Sequence, residues 1–222
     1  MIKDRTIARI AGLLFLTTTL AGMIDSLVAM PLLTAPVTDI FAHKTPIMLG
    51  VFMILYMSFG VACIALFLYP ILKRQNELIA SAYRSFRMVE CVFLIVGAVV
   101  SLFILALSRQ STQADINALP IYQSMASLAF GIRMSCYQIA MVILGLNSLS
   151  LCALFFKTKL LPRWISATGF LGYLLLLASA VLDLCGFIDT TGAGGLLYIP
   201  GGVFEVVLLP AWLIFRGIKS PS

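Results

Sequence analysis

The chain has 222 residues, of which 61% are hydrophobic and 11% charged, and its mean hydropathy is +1.07. A soluble domain carries about 25% charged residues, and a chain this apolar lacks the polar side chains to cover a water-facing surface, so a soluble fold is excluded. The net charge of +6 comes from 15 Lys and Arg against 9 Asp and Glu; these sit between apolar runs rather than in a stripe with interleaved aromatics, which points to membrane topology and away from nucleic acid.

A helix needs about 20 consecutive apolar residues to cross a bilayer core. Six stretches meet this length, at residues 7–33, 46–72, 89–107, 126–156, 164–187 and 196–215. The first opens like a signal peptide, with Lys3, Arg5 and Arg9 ahead of an apolar core. It stays apolar as far as Leu33, past the length of a signal core, which predicts a retained span. The second ends at Lys73 and Arg74. Between it and the third, Leu78, Ile79, Ala82, Tyr83 and Phe86 recur at helical spacing. That pattern predicts an extension of the third helix lying partly at the interface. An outer loop over 108–124 is rich in Ser, Gln, Asn and Thr, and the fourth stretch is long enough to tilt or extend past the membrane. Gly169 and Gly172 in the fifth stretch predict close helix contact. The last outer loop, 189–195, is rich in Gly and Thr. Pro210 lies inside the sixth stretch, where loss of a backbone hydrogen bond predicts a kink. Pro200-Gly201-Gly202 marks either the start of that helix or a break of the kind that lines transporter sites.

Basic residues set the orientation. Twelve of them fall at the termini and in alternate loops: Lys3, Arg5, Arg9, Lys73, Arg74, Arg84, Arg87, Lys157, Lys159, Arg163, Arg216 and Lys219. The other side holds Lys44 and Arg109, and Arg133 lies within a span. The positive-inside rule therefore predicts cytoplasmic N- and C-termini. The expected fold is all-α: one polytopic transmembrane bundle of six helices over residues 1–222.

Ionisable groups in hydrocarbon cost at least a few kcal/mol each on insertion scales and need a partner or a wet cavity. Asp25, Arg133, Asp183 and Glu205 fall in four different spans. At about 1.5 Å per residue they share one outer layer. Arg133 is then the only buried cation for three carboxylates, and one guanidinium cannot neutralise three. One carboxylate must be protonated, or pair with a bound cation or basic ligand. Tyr137 and Gln138, one turn below Arg133, are placed to add hydrogen bonds. The plainer alternative puts Asp25 and Asp183 in the headgroup layer and lets Arg133 snorkel outward. Glu90 lies apart, near the cytoplasmic end of the third span, in reach of Arg84 or Arg87.

Cys63, Cys91, Cys136, Cys152 and Cys185 each fall inside an apolar run and read as packing residues. His43, the only histidine, stands four residues from Asp39 and reads as a surface residue. No metal set, nucleophile–base pair or cofactor motif is visible, so no metal and no cofactor are expected.

Three stretches carry a family resemblance: Arg9-Ile-Ala-Gly-Leu-Leu-Phe-Leu16; Pro162-Arg-Trp-Ile-Ser-Ala-Thr-Gly169; and Ile199-Pro-Gly-Gly-Val-Phe-Glu205 with Pro210-Ala-Trp-Leu213. Together the sequence resembles a bacterial membrane family known as domain of unknown function 4386. The resemblance implies a multi-pass protein of the bacterial cytoplasmic membrane and brings no established activity. It also implies that Glu205 and its Pro-Gly-Gly lead-in belong to the family pattern.

Three function classes stay open. One is binding or transport of a small cationic or amphipathic ligand in an outward-facing intramembrane polar pocket, with Asp25, Arg133, Tyr137, Gln138, Asp183 and Glu205 as its residues. A second is a structural or regulatory role through protein partners. The third is an enzyme on a lipid-like substrate, with no catalytic residue to name. The expected partners are the lipid bilayer and that ligand; the oligomeric state is left open.

Overall fold

Within residues 4–218, which the computed structural model describes, the long apolar stretches are all helical. Lys3 and Lys219, counted in the charge bias, lie outside the described residues. The six helices are α1 (Asp4–Thr34), α2 (Val37–Lys73), α3 (Glu77–Ser111), α4 (Ile116–Thr158), α5 (Arg163–Leu184) and α6 (Ala193–Phe215), each long and apolar enough to cross a membrane. No strand occurs among the described residues. A helix satisfies its backbone donors and acceptors internally, which hydrocarbon demands.

Helix boundaries have local causes. Asn76 caps α3, its side-chain oxygen accepting the Ile79 N–H at 3.0 Å. As a result α3 starts at Glu77 and runs unbroken through the segment predicted as its extension. Lys159 ends α4 with a left-handed φ of 55°, and the next two residues, Leu160 and Leu161, are buried. Their burial holds the turn in a conformation that costs an L-residue about 1–2 kcal/mol.

Consecutive helices pack on one another, and the ring closes where the last turns of α6 meet α1. The connections are short, so neighbours run antiparallel and both termini lie at one end of the bundle, here the terminal end. The first half of α6 packs on α5 rather than α1. The two outer helices therefore part towards the opposite end. Buried apolar residues form a large core that includes Phe15, Ile64, Leu94 and Leu144. A second, smaller core at the far end includes Leu33, Ile47, Ile104 and Ala129.

Two features shape the interior. The first is a matched pair of π-turns, in α1 over Asp25–Ala29 and in α6 over Phe204–Leu208. In each, an N–H reaches back five residues: Met30 to the Asp25 carbonyl, and Leu209 to the Phe204 carbonyl. A proline follows immediately, Pro31 or Pro210. Proline lacks an N–H, and its ring clashes with the carbonyl four residues back; widening the preceding turn relieves both problems. At Pro210, where a kink was predicted, the helix carries a π-turn just ahead of the proline, with Glu205 inside it. The second feature is close backbone approach. A Cβ on Gly172 would stand 3.0 Å from the Gly201 Cα and N, so α5 and α6 touch main chain to main chain, as small residues permit.

Candidate functional site

Hydrogen bonds sort the intramembrane polar residues into three groups rather than one cluster. The first joins Asp25 on α1 to Arg133 on α4 in an ion pair, both side chains buried. Arg133 Nε also donates to Ser101 Oγ on α3 at 2.8 Å. Arg133 therefore does not snorkel, and Asp25 does not sit among headgroups. Gly50 on α2 makes room: a Cβ there would fall 2.7 Å from Asp25 Oδ1.

The second group closes the loop between α5 and α6. Asp183 accepts from the Thr190 N–H at 2.7 Å and from Thr190 Oγ1 at 2.6 Å. Gln138 Nε2 donates to Thr190 Oγ1, and Tyr198 donates its hydroxyl proton to Gln138 Oε1. Asp183 is thus satisfied without Arg133. Gln138 serves this loop rather than the ion pair.

The third group overturns two expectations. Arg87, placed by sequence among the loop cations, lies inside α3 and is 2% exposed. Arg133 is therefore not the only buried cation. Arg87 Nη1 donates to both Glu90 oxygens, at 3.1 and 3.3 Å. The Glu90–Arg87 pairing is present, but in the sealed interior rather than at the interface. Arg87 Nη2 stands 3.9 Å from Glu205 Oε1. Glu205, set apart from Glu90 on sequence grounds, is thus its neighbour through Arg87. Tyr173 on α5 donates to Glu205 Oε1 at 2.7 Å, and Thr19 on α1 donates to Oε2 at 3.3 Å. Thr19 is six residues before Asp25, so this group lies about 9 Å nearer the terminal end than the first.

A cavity of about 300 Å³ lies where α1 and α6 part. Glu205 and Thr19 form its polar end, with Tyr137 and Met141 from α4, Met57 from α2 and Met23 at the rim. The wall is mostly apolar, and the rim residues Met23, Leu27 and Ile199 are exposed on the membrane-facing surface. The crevice therefore opens sideways towards lipid. Tyr137 borders both this cavity and a small void beside Arg133. Glu205 is the one predicted carboxylate on the cavity wall; Asp25 and Asp183 are not among its lining residues.

Charge is unbalanced in the third group: two carboxylates, Glu90 and Glu205, share one guanidinium. Glu90 is fully buried, whereas the Glu205 side chain is 13% exposed. Arg87 Nε and Nη2 have no hydrogen-bond partner among the described residues, and its guanidinium leans on the Phe15 and Tyr83 rings at 5.9 and 5.4 Å. Arg87 thus commits to Glu90 and holds Glu205 loosely. Low dielectric makes an unpaired charge costly there, which favours a compensating cation beside Glu205.

Sequence reasoning missed Tyr173, Thr19, Ser101 and Thr190. Arg87 was named there only as a partner of Glu90 at the interface, one helical turn away; its burial and its approach to Glu205 were missed. The cysteines are free, with Cys91, Cys136 and Cys152 buried and Cys185 exposed. His43 is exposed, and Asp39 pairs with Thr38 instead, at 3.0 Å.

The family model described as domain of unknown function (DUF4386) matches residues 10–217. Searches of curated proteins and of solved structures gave no match. The matched segment takes in all six helices but for the first turns of α1, together with the three polar groups and both π-turns. The chain belongs to the DUF4386 family, here seen as a six-helix membrane bundle.

Proposed function

We propose that the protein binds a small lipophilic cation in the crevice between α1 and α6, with Glu205 as its counter-charge. The observation that carries this reading is the charge imbalance at the cavity wall: Glu205 faces the crevice, while Arg87, its one cationic neighbour among the described residues, is engaged by Glu90. The lining suits such a ligand. Methionines adapt to irregular apolar shapes, and Tyr137 and Tyr198 bring aromatic rings, which attract cations, to the lining. The lateral opening lets a ligand that partitions into the bilayer arrive without crossing water. In the orientation read from the basic residues, with both termini cytoplasmic, the crevice faces the outer half of the cytoplasmic membrane. Transport follows if α1 and α6 also part at the terminal end.

The test is equilibrium binding of tetraphenylphosphonium to purified protein in detergent. Wild type binds saturably. Glu205→Gln binds at least tenfold more weakly, about 1.4 kcal/mol, while eluting as the same monodisperse species. Equal affinity in the two proteins contradicts the reading.

A further inference from the structure

A second cavity, of about 320 Å³, lies on the other side of the bundle between α4 and α5 at the terminal end. Its walls are Phe156 on α4 and Phe170 on α5, both exposed on the membrane-facing surface. Ala153 and Ala167 are too short to fill the space between them. Ser166 and Lys157 supply its polar atoms. The groove is thus an apolar slot, open to the bilayer, with a cationic rim.

The rim has three sources of positive potential. Lys157 lines the groove, and Lys159 follows in the turn. Arg163 is drawn to the groove wall, its guanidinium 5.4 Å from the Phe156 ring centre. The N-terminus of α5, a helix of 22 residues, points the same way. No Asp or Glu occurs between residues 152 and 170, so the segment that forms the groove supplies no counter-charge of its own. The left-handed turn at Lys159, pinned by buried Leu160 and Leu161, holds the basic residues at this level.

We infer that the groove is a binding site for an anionic phospholipid, one acyl chain lying between Phe156 and Phe170 and the phosphate meeting Lys157 and Arg163. Basic pockets between transmembrane helices recognise acidic headgroups in this way. A zwitterionic lipid brings an amine to a rim that is already positive. The charge of the rim therefore selects phosphatidylglycerol over phosphatidylcholine, and the slot selects a lipid over a free anion.

The test is native mass spectrometry of the delipidated protein, titrated with phosphatidylglycerol or phosphatidylcholine of identical chains. Wild type retains phosphatidylglycerol preferentially. Lys157→Gln, a change at an exposed side chain, reduces that preference about fivefold, as expected for one basic residue near a headgroup. Ala167→Phe fills the slot and lowers retention of the lipid, while inorganic phosphate at the same concentration does not compete in wild type. Equal retention of the two lipids by wild type overturns the inference. So does unchanged preference in Lys157→Gln, and so does competition by inorganic phosphate, which reduces the site to an adventitious anion contact.

Discussion

Asp25 on α1 and Arg133 on α4 form a buried ion pair at the junction of the two apolar cores, completed by Ser101 on α3. The pair ties together helices that are far apart in sequence. Breaking a buried pair from one side leaves an uncompensated charge, at a cost of about 3–5 kcal/mol. Arg133→Leu should therefore lower the unfolding temperature in detergent sharply. The double variant Asp25→Leu/Arg133→Leu should recover most of the loss, because neither charge then remains. A double variant as unstable as the sum of the singles would show that the pair is not coupled.

Gly50→Ala tests the fit around that pair. The added methyl would meet Asp25 and the Ala29 side chain, and overpacking of this kind costs about 1–3 kcal/mol. Gly131→Ala is the control: a Cβ there meets nothing within 4 Å. Thermal unfolding of the two variants should differ in that order.

Tyr173→Phe removes the shorter of the two hydroxyl hydrogen bonds to Glu205. Loss of a donor to a part-buried carboxylate costs about 1 kcal/mol. The variant should be less stable than wild type yet still bind tetraphenylphosphonium, since the counter-charge is intact. Loss of binding equal to that of Glu205→Gln would assign the site to Tyr173 instead.

Lys159→Gly should raise stability by up to about 1 kcal/mol, because glycine accepts a positive φ without strain. Thermal unfolding measures it directly. A fall in stability would mean that the Lys159 side chain makes contributions that outweigh its backbone.

Asp189, in the loop between α5 and α6, accepts from Thr191 Oγ1 at 2.6 Å and from the Thr191 N–H at 2.8 Å. These bonds hold its carboxyl below the ordinary aspartate value of 3.8. A depressed carboxylate contributes order above its unfolded value and loses it as pH falls through the folded one. Hydrogen exchange at Thr191, corrected for its intrinsic pH dependence, should therefore lose protection below about pH 4. Asp189→Asn should show no such step.

The fold is legible in the sequence because hydrocarbon leaves a chain few options: each long apolar run must be a helix. The Asp25–Arg133 contact is legible for a related reason, since opposite charges at matching depth seek each other in a low dielectric. Other contacts were hidden. Arg87 stands in a basic stretch, and counting charges along a loop does not reveal which side chain points into the bundle. Depth estimated from the rise per residue placed Glu205 level with Asp25, whereas Glu205 hydrogen-bonds Thr19, six residues before Asp25 on α1. The prolines that cause those turns are visible, whereas the widened turn itself depends on how the chain resolves the missing hydrogen bond. Asp183 finds its partner in Thr190 because the loop folds back, a contact that no hydropathy pattern encodes.

The most direct measurement of the central claim is photolabelling with an azido derivative of tetraphenylphosphonium, mapped by peptide mass spectrometry. Label is expected on α1 near Met23 and on α6 near Ile199, competed by unmodified tetraphenylphosphonium and lost in Glu205→Gln. Competable label confined to the α4–α5 face, or label at Met23 and Ile199 that persists in Glu205→Gln, would contradict it.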